Sequence, residues 1–102
     1  MRPENRPPTH PGEVLEEEFL RPLGVTVAAF AKHVGVPAAR IHEIIRGQRG
    51  ITPETAWLFA QALGTTPEFW LNLQSVYNLA KAQPRRPIAR LQSRLGVALA
   101  RN

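Results

Sequence analysis

The sequence contains no cysteine and no aspartate. Without cysteine there is no disulfide framework, no zinc–thiolate site and no thiol nucleophile, and the composition suits a reducing, cytoplasmic setting. Without aspartate many acid–base pairs are ruled out. The three histidines, His10, His33 and His42, stand in separate segments and lack the His-x-x-x-His spacing of a metal-binding helix. Neither a serine-centred nucleophile elbow nor a glycine-rich phosphate loop occurs. Catalysis, a bound metal and a cofactor are therefore not expected. No apolar run reaches the roughly 18 residues of a membrane span. The opening Met1-Arg2-Pro3-Glu4-Asn5-Arg6-Pro7-Pro8 has no apolar core of a signal peptide. Asn-Gly and Asp-Gly hairpin turns and period-2 alternation are also missing, which argues against a sheet.

What the chain does have is helix punctuation. Thr26 precedes Val27-Ala28, Thr52 precedes Pro53-Glu54, and Thr66 precedes Pro67-Glu68. Threonine suits an N-cap, proline the first helical position and glutamate the first turn. Gly35, Gly47 and Gly64 mark helix ends. An earlier helix starts at Pro11-Gly12 with Glu13, Glu16, Glu17 and Glu18 near its positive end. Leu15, Phe19 and Leu23 give it an i, i+4, i+8 apolar stripe, and Pro22 and Gly24 end it. The expectation is an all-α domain of five helices, over 12–21, 26–34, 37–46, 53–63 and 67–80. Residues 1–9 form a polar, proline-rich arm, residues 10–80 the domain, and residues 81–102 a basic tail after Pro84-Arg85-Arg86-Pro87. Ile88, Leu91, Leu95 and Leu99 recur at helical spacing, so a sixth helix from residue 88 is possible, weakened by Gly96.

The charge is uneven. Of 102 residues with a net charge of +5, residues 1–80 carry −1 and residues 81–102 carry +6. A basic total suggests an anionic partner, but here the excess is a property of the tail. A case for DNA binding by the body must rest on where its individual charges sit.

The segment from Phe30 to Arg46 supplies that case. Ala31 lies four residues before Gly35, and Ile41 and Ile44 follow it at six and nine. Two crossing helices need a small residue where they touch, which Ala31 provides, and a turn tolerant of positive φ, which Gly35 provides. Ile41 and Ile44 anchor one face of the second helix and leave the other free. This is the spacing of a helix-turn-helix, whose second helix enters the DNA major groove, although an ordinary αα-corner shares it. The candidate base-reading residues are Pro37, Ala38, Ala39, Arg40, His42, Glu43 and Arg46, each of which has a matching base-edge partner or a packing role. Arg40 and Glu43 have a second reading, as members of pairs within the protein. Thr26, Gln48, Arg49 and Thr52 are the candidate phosphate contacts, near helix N-termini.

A family resemblance extends across the domain. His10-Pro11-Gly12-Glu13-Val14-Leu15 with Glu18-Phe19-Leu20-Arg21-Pro22-Leu23-Gly24 resembles the opening of HigA-type antitoxins. Arg40-Ile41, Gly47-Gln48-Arg49-Gly50-Ile51-Thr52 and Thr55-Ala56 continue the match. Phe69-Trp70-Leu71-Asn72-Leu73-Gln74, followed by Tyr77 and Leu79, is its most specific part. The resemblance covers residues 10–79. It implies an Xre-type, phage-repressor-like domain that works as a homodimer on a palindromic operator in its own promoter. It also implies a HigB-type partner, a small toxin similar to RelE-type mRNA endonucleases, which the antitoxin binds and neutralises. Asn78 departs from the family, which more often has aspartate there, and Trp57 is larger than expected. The tail lies outside the match.

Helix five carries more apolar surface than one core absorbs, so Phe69, Trp70, Leu73, Val76 and Tyr77 are the candidate dimer interface, with large core residues as the alternative for Trp70 and Tyr77. The acidic first helix would be repelled by phosphates and is either a solvated face or a dock for a basic toxin. The arm, that helix and the tail are all open as toxin-docking surfaces. For the tail, a DNA-linked or disordered state is favoured over a membrane role. The competing functional readings are a plain repressor without a toxin and a helical interaction module without DNA.

Overall fold

The computed structural model describes residues 8–92. Five helices make up the domain. The first, α1, is α-helical over Pro11–Val14, π-helical over Leu15–Leu20 and α-helical again over Arg21–Leu23; α2 spans Val27–Val34, α3 Ala38–Ile45, α4 Pro53–Leu63 and α5 Pro67–Lys81. The three threonine caps act as expected. The hydroxyls of Thr26, Thr52 and Thr66 accept from the backbone N–H of Ala29, Thr55 and Phe69 at 3.1, 3.2 and 3.1 Å, each satisfying a donor that the helix start leaves free.

Helix α1 is longer than the expected 12–21, and its apolar stripe is different. A π turn bonds i to i+5, as in the Arg21 N–H donated to the Glu16 carbonyl. The extra residue per turn moves the second buried leucine from i+4 to i+5. Leu15 and Leu20 therefore enter the core, Phe19 is half-buried against it, and Leu23 is left 61% exposed. The expected Leu15–Phe19–Leu23 stripe is corrected accordingly. Pro22 also does not end the helix; it lies within its last turn, and Gly24 in the left-handed region closes it.

The core joins Leu15, Leu20, Phe30, Ile41, Ile44, Phe59 and Trp70. Phe59 is its hub, with ring centroids 5.4 Å from Phe30 and 5.2 Å from Trp70 in edge-on arrangements that aromatic quadrupoles favour. Helix α5 packs along α4, α2 on α3, and the start of α1 against both α3 and α5.

Trp70 is fully buried. Its indole N–H donates to the Thr65 hydroxyl at 2.7 Å, which satisfies the one polar atom it brings inside. It is a core residue, and its assignment to the dimer surface is corrected. The expected helix from residue 88 is also corrected for the part described: residues 88–92 are exposed and non-helical. Pro87 precedes them, and a short helix with no surface to pack on is marginal in water. Leu95 and Leu99 lie outside the described residues, as does most of the expected arm.

Candidate nucleic-acid interface

The turn between α2 and α3 is closed by backbone chemistry. Gly35 takes φ +77°, its N–H donates to the Ala31 carbonyl at 2.9 Å, and the Val36 N–H reaches the same carbonyl at 3.0 Å. This pair ends α2 with a left-handed cap, and Pro37 then starts α3. Ala31, 2% exposed, is buried in the core at the end of α2, where a small side chain is expected.

Helix α3 divides into two faces. Ile41 and Ile44 are buried, with Ala38 and Ile45 packed beside them. Ala39, His42, Glu43 and Arg46 follow at i, i+3, i+4 and i+7, and this spacing forms one outward stripe. Arg40 is half-buried at its flank, and Pro37 is exposed at its start. Among the described residues Arg40, His42 and Arg46 enter no salt bridge. Glu43 does: the Arg49 Nε donates to its Oε1 at 2.8 Å. Of the two readings of Glu43, the intramolecular pair is present, and it joins a candidate base contact to a candidate phosphate contact. Gln48 is exposed in the same loop. Thr26 and Thr52 are exposed at the N-termini of α2 and α4.

Two residues given no site role from the sequence support this region, and one of them, Gln74, holds the loop. The Gln74 side chain, buried on α5, accepts from the Ile51 N–H at 2.7 Å and donates to the Asn78 Oδ1 at 3.0 Å. The atypical Asn78, one turn further along α5, thus accepts from the amide that holds the loop. His10 caps α1: its Nδ1 accepts from the Gly12 N–H at 2.9 Å, and its ring meets Tyr77 edge-on at 4.7 Å. Burial lowers the His10 pKa, the nearby Lys81 charge lowers it further, and Glu13 partly opposes both. A neutral imidazole is the form that can accept this bond. The sequence signal was a polar residue on an apolar stripe: Gln74 stands between Trp70 and Tyr77 at helical spacing.

The other face of α5 carries Phe69, Leu73 and Val76 at i, i+4 and i+7, which line an open apolar groove with Val14 and Pro8. Tyr77 is not on that stripe. It belongs with Trp70 and Gln74, half-buried toward His10 and the loop. Trp57, the second atypical residue, is 57% exposed on α4.

A family model described as helix-turn-helix matches residues 17–70. Antitoxin HigA-1 of Vibrio cholerae is 43% identical over 79 residues, covering 78% of this chain and 74% of its own. Among solved structures, the Pseudomonas aeruginosa antitoxin HigA with the higBA promoter superposes with a TM-score of 0.72 at 43% identity, covering 74% of this chain and 82% of that one. Antitoxin GraA in complex with its operator gives a TM-score of 0.70 at 35% identity, covering 87% and 99%. No helix among the described residues is long and apolar enough to cross a membrane. The matched residues contain the turn, both helices that flank it and the core that holds them, and the relatives share that frame: the chain belongs to the HigA-type antitoxins of the Xre-type helix-turn-helix family, regulators that bind DNA and are not enzymes.

Proposed function

We propose that the protein is an antitoxin that binds a palindromic operator in its own promoter as a homodimer, and that it neutralises a cognate HigB-like, mRNA-cleaving toxin. The observation that carries the DNA half is the outward stripe Ala39–His42–Glu43–Arg46 on a helix anchored by Ile41 and Ile44. Arginine and histidine there can bond base edges, alanine can meet a thymine methyl, and glutamate can accept from cytosine. Thr26, Gln48, Arg49 and Thr52 sit on the flanks where phosphates would pass. The groove of Phe69, Leu73 and Val76 supports the homodimer, since burying it answers the exposure of Phe69 and Val76 and covers the half-buried Leu73 between them. A two-fold pair would set two α3 helices about 34 Å apart, one DNA turn. The operator and promoter complexes of GraA and the Pseudomonas HigA support the same mode.

The test of the DNA half is binding to a panel of promoter variants. His42→Ala and Arg46→Ala should each change the order of preference among variants, with about 1–3 kcal/mol lost at the base each residue reads. Uniform weakening across the panel would make the residue a phosphate contact instead. The toxin half is tested by expressing the neighbouring small open reading frame from a separate promoter. Growth arrest by that frame, rescue by this protein and co-purification of the two are expected. A harmless neighbour would leave a plain repressor.

A further inference from the structure

The tail begins beside the loop that follows α3. Lys81, the last residue of α5, lines one open cleft with Gln48, Arg49 and Thr52, and a second with Arg46 and Gly47. From that point the chain is non-helical and exposed over residues 83–92. Arg85, Arg86 and Arg90 enter no salt bridge among the described residues, and no acidic residue follows Glu68 anywhere in the sequence. Pro84 and Pro87 bracket the arginine pair; each fixes φ and removes an N–H, which disfavours helix and sheet pairing alike. A chain of this kind advances about 3.3 Å per residue, so nine residues from Lys81 to Arg90 reach roughly 30 Å, close to one turn of DNA. A body of charge −1 thus carries a +6 extension that leaves from the edge where Arg46 and Arg49 stand.

We propose that this extension is a second DNA-binding element: an extended cationic arm that runs along the phosphates flanking the site read by α3. It contacts DNA irrespective of sequence and adds affinity without adding discrimination. The inference rests on α3 being the helix that meets DNA. Over the described residues 83–92 the extension forms no amphipathic helix of the kind that lies on a membrane.

The experiment compares the full-length protein with its Arg85→Gln/Arg86→Gln/Arg90→Gln variant. Binding is measured by fluorescence anisotropy on the promoter fragment and on a scrambled duplex, each with and without about ten flanking base pairs, from 50 to 200 mM salt. Each phosphate contact contributes a slope of about −0.9 to log K against log salt. Loss of three should therefore flatten the slope by about 2.7 on flanked DNA, so that the unchanged protein loses about 40-fold more affinity than the variant across that salt range. The ratio of promoter to scrambled affinity should be the same for both proteins, and the difference between them should vanish on trimmed duplexes. Equal slopes and affinities on flanked DNA would overturn the proposal, as would a variant that loses the promoter preference. So would binding of the unchanged arm to phosphatidylserine vesicles with no slope difference on DNA. If the unchanged protein shows no promoter preference at all, the reading of α3 fails; the arm is still judged by the slope on scrambled, flanked DNA.

Discussion

Replacing Gly12 with alanine should loosen the attachment of α3 to the rest of the domain. Gly12 is in the first turn of α1, and its φ is not in the left-handed region, so the backbone itself would accept a side chain. Space is what forbids it. A Cβ built there falls onto the Ile44 carbonyl, 2.5 Å from its carbon and 2.8 Å from the Ile45 Cα. Carbon atoms rest at about 3.5–4.0 Å from one another, so α1 and the end of α3 must part by roughly 1 Å. Both obstructing groups are backbone, and no rotamer change relieves them. Alanine offers up to about 1 kcal/mol in helix propensity over glycine, whereas overpacking a tight contact costs about 1–3 kcal/mol and at times more. The steric cost should prevail, with a net loss of about 1–2 kcal/mol. For a domain of this size each kcal/mol moves the unfolding midpoint by roughly 4–8 °C, so a fall of about 5–15 °C is expected in thermal denaturation followed by circular dichroism. Gly35 provides the contrast. Its added Cβ would meet nothing within 4 Å, but its φ is +77°, so Gly35→Asn should be tolerated far better than Gly12→Asn, because asparagine accepts the left-handed region. A Gly12→Ala protein that melts at or above the unchanged midpoint would refute the reasoning.

Two further outcomes follow from the side chains around the loop. Because burial and Lys81 depress the His10 pKa, His10 is neutral in the fold and resists the proton that the unfolded chain takes up below about pH 6.5; it contributes no pH dependence above that value, and stability is lost as pH falls from there toward the depressed folded pKa. The unfolding midpoint should therefore drop as pH falls below about 6.5, and His10→Asn, which keeps a cap acceptor without a titrating ring, should flatten that drop; an equal slope in both proteins would count against His10 as its source. Gln74→Leu leaves the Ile51 N–H buried without an acceptor, which should cost about 1–3 kcal/mol and speed hydrogen exchange at the Ile51 amide, whereas unchanged exchange would mean the loop is held by other contacts.

How much of this was legible in the sequence depended on the range of each interaction. The caps at Thr26, Thr52 and Thr66 and the left-handed Gly35 act within four residues of themselves, so α2 to α5 could be placed from local pattern. The π segment of α1 has no such local signature. It is the arrangement that lets Leu15 and Leu20, five residues apart, both reach the core. Likewise the apolar excess of α5 was visible, but its division was not: Phe69, Leu73 and Val76 face the groove, while Trp70 and Tyr77 face inward because Thr65 and His10 receive them there. The bond from Gln74 to Ile51 spans 23 residues and leaves in the sequence only the oddity of a polar residue on an apolar stripe.

The pairing of Glu43 with Arg49 shows the same boundary and bears on the interface. Both residues were recognisable as candidates for DNA contact, yet only three dimensions reveal that they hold each other at 2.8 Å. Magnitude decides whether this disqualifies them. Their side chains are 41% (Glu43) and 50% (Arg49) exposed, and an ion pair so open to solvent is worth about 0.2–1 kcal/mol. A charge-assisted bond from a guanidinium to a phosphate is stronger than a neutral one, and it comes with the release of a condensed counterion. On the proposed DNA-binding mode, Arg49 would exchange Glu43 for a phosphate at little cost, and the exchange would free the carboxylate to accept from a cytosine amino group facing the outward stripe of α3. The pair holds the two side chains at the edge of the stripe without sealing either from DNA.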